Sequence, residues 1–174
     1  MKGRVFHKWA AIVGIVLAAG CQPTPSNLRY DQVTIQVLGS AHWTEIKINV
    51  NGTGRVADTT PGGVPVPKSF ALTDQAMADL RLRLDPYLRK SSQFSEETLQ
   101  QLAVHPCNGE GARASDLARY RIDWIGKSAH RIYWLNANCH PNRDQDQIAD
   151  IDSLIDTFPA PQPAQFPRGP ENQT

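Results

Sequence analysis

Four short segments of period-two alternation, two near each end of the folding part of the chain, constrain its fold more than any other feature. In "DQVTIQVLG" (31 to 39) the apolar side chains Val33, Ile35 and Val37 fall on one face, and in "TEIKINV" (44 to 50) Ile46, Ile48 and Val50 do the same. Successive side chains of a strand point to opposite faces, so both segments read as half-buried β-strands. "NGTG" at 51 to 54 turns the second of them into "RVADTT". A three-residue loop with a glycine bulge would keep Val56 on the apolar side, opposite Ile48.

The second pair is "ARYRIDWIG" and "HRIYWLN", joined around "GKSAH". Tyr120, Ile122 and Trp124 share a face. Setting Trp124 across from Ile132 puts Ile132 and Trp134 on the matching face, a favourable aromatic and β-branched pairing. Between the hairpins, "PGGVPVP" (61 to 67) is a loop by composition. "TDQAMADLRLRLDPYL" then repeats Met77, Leu80 and Leu84 at helical spacing behind a Thr73 cap, with Pro86 expected to end the helix. "SEETLQQLAVH" (95 to 105) supports a shorter helix capped by Ser95. "DQDQIADIDSLIDTF" places Ile148, Ile151, Leu154, Ile155 and Phe158 on one stripe, with acids at its start where the helix dipole favours them. From Pro159 the chain has five prolines in sixteen residues and reads as a flexible tail, 159 to 174. The expectation is one α+β domain over 31 to 158, its antiparallel hairpins forming a sheet with two or three helices on one face.

The amino-terminal segment has a different character. Lys2, Arg4 and Lys8 precede twelve uncharged residues, Trp9 to Gly20, which as a helix reach about 18 Å and fall short of a ~30 Å hydrocarbon core. This stretch ends "VLAAGC" and closely resembles the lipobox of bacterial lipoprotein precursors. The resemblance covers residues 1 to 21, with Ala18 standing where Leu is commoner. It implies that residues 1 to 20 are a signal peptide and that Cys21 is lipidated and becomes the amino terminus. Residues 21 to 30 are then a Pro- and Ser-containing tether. Several acyl chains, at about 0.8 kcal/mol per buried methylene, attach such a chain stably to a membrane. Gln22, where many inner-membrane lipoproteins carry Asp, points to the outer membrane, facing the periplasm. The order of hairpin, helix, hairpin and closing helix also resembles small envelope lipoprotein domains, a likeness that carries no functional residues.

Without the leader's three cations, 15 Lys and Arg face 17 Asp and Glu, and no basic run exceeds Arg89-Lys90. That balance argues against nucleic acid as a partner. Cys107 and Cys139 are the two cysteines left for the domain. In an exported chain such a pair reads first as a disulfide closing a loop of 33 residues, 107 to 139 inclusive. A metal site drawn from His105, Cys107, Cys139 and His140 is poorly spaced, because ligands one apart or adjacent do not converge as pairs two to four apart do. A cysteine nucleophile activated by either histidine is the third reading.

Motifs for chemistry are incomplete. "GKS" at 126 to 128 lacks the upstream glycine of a phosphate loop, where Arg121 stands. Asn142, Asp144 and Asp146 lack the glycine and the closing glutamate of a calcium loop, with Gln147 and Ser153 in those places, and these acids read instead as helix capping. No catalytic residue, metal ligand or cofactor is assigned. Surface is what remains: Arg119, Arg121, Asp123, Arg131 and Tyr133 on the face opposite Trp124, with Trp43 as a further anchor, form a mixture typical of protein interfaces. The resulting expectation is a noncatalytic accessory lipoprotein docking on an envelope protein. An immunity or enzyme-inhibitor lipoprotein, and an enzyme using a thiol, are the alternatives.

Overall fold

A computed structural model describes residues 30–39, 43–104, 107, 117–140 and 142–165. Their order is β1 (Gln32–Leu38), β2 (Trp43–Asn49), β3 (Thr53–Thr59), β4 (Val64–Val66), β5 (Lys68–Ala71), α1 (Asp74–Lys90), β6 (Ser92–Gln93), α2 (Glu96–Val104), β7 (Arg119–Ile125), β8 (His130–Asn136), α3 (Gln145–Ile155) and β9 (Gln162–Gln165). Seven strands make one antiparallel sheet in the order β5-β3-β2-β1-β7-β8-β6, and β4 pairs with β9 in a separate ribbon. The α+β expectation holds.

The two hairpins meet at the centre, where β1 lies between β2 and β7. Val33 pairs with Ile48 and Trp124, and Ile35 with Ile46 and Ile122, so one face is apolar across three strands. The core forms there. Met77, Leu80, Leu84 and Tyr87 of α1, Ile151 and Leu154 of α3, and Phe158 beyond it, pack against Ile35, Ile46, Val56, Ile122 and Trp124. Burying one such side chain contributes about 1.5–3 kcal/mol. Among the described side chains, the helical members of this cluster come from α1 and α3.

Local chemistry explains the ends of the elements. Thr73 accepts from the Ala76 N–H at 3.2 Å, and Ser95 from the Thr98 N–H at 3.0 Å, so both expected caps are made. The first hairpin turns on Val50, Asn51 and Gly52, the glycine at φ +81 as a three-residue loop requires. Val56 lies on the apolar side, but opposite Ile46 where Ile48 was expected. A side chain at Gly54 would meet the Phe70 ring at 2.4 Å, which lets β5 close over β3.

Four further expectations change. Pro86 does not end α1, which runs on to Lys90. Proline removes the bond to the carbonyl of Leu82, which lies on the exposed side of the helix, while Leu84 and Tyr87 hold the buried side. Val64–Val66, in the segment expected to be loop, forms β4, and Gln162–Gln165, from the segment expected to be a flexible tail, pairs with it as β9. Asp144, at the start of α3, makes no side-chain cap and accepts from Arg143 instead.

The fourth change is a register shift in the second hairpin. Its tip is Lys127-Ser128, closed by the Gly126 N–H donating to Ala129 O at 2.8 Å, so Ile122 pairs with Tyr133 and Trp124 with Arg131. A shift of one residue exchanges the faces of the whole strand. Arg131, Tyr133 and Leu135 therefore face α1 and α3, while Ile132 and Trp134 lie on the other face.

Candidate functional site

The second face of the sheet, away from α1 and α3, is polar and aromatic, and the register lays it out in rows. Across β3, β2, β1, β7 and β8, one row is Thr59, Trp43, Leu38, Arg119 and Asn136. The next is Ala57, Glu45, Gln36, Arg121 and Trp134, and the third is Arg55, Lys47, Thr34, Asp123 and Ile132. Residues directly opposite each other on adjacent strands project to the same side.

The β7–β8 part of this face is consolidated internally. Asp123 is 3% exposed, and it accepts from Arg121 Nε at 2.7 Å and Nη2 at 2.9 Å. His130 Nε2 meets its other side at 2.8 Å. A buried carboxylate is tolerated only when paired and hydrogen-bonded, and this two-pronged arginine contact is the strong form of that pairing. Phe94 stacks on His130 with ring centroids 3.9 Å apart, its N–H bonds to His130 O, and the Arg121 guanidinium lies 5.8 Å from its centroid. The cluster fastens the chain between β6 and α2 to the outer face.

The candidate residues separate accordingly. Arg119 and Trp43 are exposed on the outer face, Trp43 at 38%. Arg121 and Asp123 lie on the same face but are engaged with each other. Arg131 and Tyr133 do not belong to it, because the shifted register sends them to the helix side. There Arg131 donates to Ser91 Oγ at 2.7 Å and to Ser91 O, where a cation suits the end of α1. Tyr133 is buried, packs edge-on against Tyr87 and donates to Gln147 Oε1 at 3.0 Å. Burial, with the charge of Asp144, pushes its phenol up to about 12. Tyr87 and Tyr120, donating to Asp150 and Asp152, are raised for the same first reason, burial, and then by those hydrogen bonds. These tyrosines hold α3 to α1 and the sheet.

Leu38 and Arg55 complete the outer face and were not singled out from sequence. For Leu38 the signal was there: it ends the phase Gln32, Thr34, Gln36, Leu38, an apolar residue on the otherwise polar side of β1.

Cys107 and Cys139 are disulfide-bonded, with Cα atoms 5.3 Å apart. Beside the bridge, the Asn138 side chain accepts from Leu117 N at 3.0 Å and donates to Leu117 O at 2.9 Å, fixing the entry to β7. Among the described residues no group of three or more His, Cys, Asp or Glu is placed to hold a metal ion, and no helix is long and apolar enough to cross a membrane. Cys21 and His105 lie outside the described residues. No protein-family model and no curated protein matches the chain.

Proposed function

We propose that the chain is a lipid-anchored lipoprotein, attached through Cys21 to the outer membrane and facing the periplasm, whose domain docks noncatalytically on an envelope protein. The anchor rests on the leader's resemblance to a lipobox. One observation carries the docking role: Trp43, Leu38 and Arg119 form a continuous row across three adjacent strands, on the sheet face that α1 and α3 do not cover. Aromatic, aliphatic and arginine side chains side by side on a rigid sheet are the composition enriched where proteins dock. With both sulfurs in the bridge, the thiol-enzyme alternative has no thiolate to use in this form of the chain.

Affinity capture of the native chain from its own envelope tests the proposal. Mass spectrometry of the captured chain should show an acylated amino terminus at Cys21. A specific partner should be recovered with wild type and lost with Trp43→Ser/Arg119→Glu, at unchanged melting temperature. Recovery of the same partner by that variant would refute the docking role. A hydrolase that loses activity when captured would place the chain in the inhibitor class.

A further inference from the structure

We infer that the segment received by the outer face is acidic: an extended stretch of the partner polypeptide whose carboxylates engage Arg55 and Arg119. This inference rests on the docking role proposed above and supplies the chemistry of what docks.

The outer face carries four cations, Arg55, Lys47, Arg119 and Arg121, against two acids, Glu45 and Asp123. Both acids are already engaged, Glu45 by Lys47 at 2.8 Å and by Gln36 at 3.0 Å, and Asp123 by Arg121 and His130. Arg55 and Arg119 are exposed, and neither has an ion-pair partner among the described residues. Arg55 also stands directly opposite Lys47. Glu45 already compensates Lys47, which leaves Arg55 as the cation of this pair without a carboxylate among the described residues.

A partner approaching the outer sheet face therefore meets net positive charge.

Spacing sets the length of the ligand. Arg55 and Arg119 are three strands apart across the sheet and two rows apart along it, roughly 20 Å on the diagonal from a spacing of about 4.8 Å between strands and 3.3 Å between residues. An extended segment of about six residues covers that distance. Each guanidinium can take a carboxylate in a two-pronged contact, and Trp43, in the same row as Arg119, offers an apolar contact to a neighbouring side chain.

The test uses the full lipidated chain in detergent and two labelled twelve-residue peptides, one of Glu, Ser and Leu and one with every Glu replaced by Lys, read by fluorescence anisotropy. The Glu peptide should bind, with Kd rising about tenfold between low and 0.3 M salt. Arg55→Glu/Arg119→Glu should weaken it at least about tenfold, and Arg55→Lys/Arg119→Lys, which keeps the charge but loses the two-pronged contact, should weaken it less than the reversal does. Melting temperatures should be unchanged in both. Equal binding of the Lys peptide, or indifference to charge reversal, would overturn the inference. So would reversal-sensitive binding to vesicles of anionic phospholipid with no binding of the Glu peptide, which would assign the face to a lipid surface. If Trp43-dependent capture from the envelope persists while the Glu peptide fails to bind, the acidic assignment falls and the docking role stands.

Discussion

Asp123→Ala is the perturbation whose consequence follows most directly from the geometry. The carboxylate is buried and receives three close contacts, two from Arg121 and one from His130. Removing one partner of a buried ion pair typically costs about 3–5 kcal/mol, because the other charge is left without compensation. Here the side chains of Arg121 and His130 retain 22% and 29% of their exposure, so both can recover some water. The expected loss is therefore about 2–3 kcal/mol, below that range. For a domain of about 130 residues this lowers the melting temperature by roughly 8–12 °C. Thermal unfolding followed by circular dichroism, with the disulfide intact, measures it. Combining the change with Arg121→Ala should cost less than the sum of the two single changes by at least about 1 kcal/mol, since they remove the same bonds. A fall of under 2 °C for Asp123→Ala, or strict additivity, would show that this cluster does not fasten the outer face.

Further predictions concern the scaffold. Pro86→Ala should raise stability by about 1–2 kcal/mol in chemical denaturation, because it restores the donor missing from α1, less the entropy proline removes from the unfolded chain; destabilisation would mean that the ring itself packs. Reducing the Cys107–Cys139 bridge should cost about 3–4 kcal/mol from the loop it closes, read as a lower denaturation midpoint. At alkaline pH the sign follows from Tyr87, Tyr120 and Tyr133, whose phenols are raised in the fold. Their contribution is complete below the ordinary phenol value near 10 and is lost as pH rises through the folded values, about 12 for Tyr133. Melting temperature should hold to about pH 9 and fall beyond 10, whereas phenolate absorbance titrating near 10 in a still-folded chain would contradict it.

The β1 and β2 strands, the Thr73 and Ser95 caps and the apolar stripe of α3 were legible in the sequence because each carries a clean period and a matching boundary residue. The faces of β8 were not. "HRIYWLN" has apolar or aromatic residues in both phases, so alternation does not choose between them, and the two-residue tip at Lys127-Ser128 decides. That choice buries Tyr133 against Tyr87 and brings Arg131 to Ser91. Two of the six candidate docking residues thereby became scaffold. Pro86 misled because proline's penalty depends on whether water reaches the freed carbonyl, a tertiary property. The β4–β9 pairing was invisible for a related reason: neither "VPV" nor "QPAQ" has a strand signature, and each finds its partner about 100 residues away in the chain. The row of Trp43, Leu38 and Arg119 needed the pairing of three strands before it existed as a surface at all.

Photo-crosslinking in the native envelope tests the central claim most directly. A photoreactive residue placed at Leu38 or Trp43, on the outer face, should give one discrete crosslinked partner, and the same residue at Leu82, highly exposed on α1, should give none. Partner crosslinks at Leu82 with none at Leu38 or Trp43 would contradict the assignment of the outer sheet face as the docking surface.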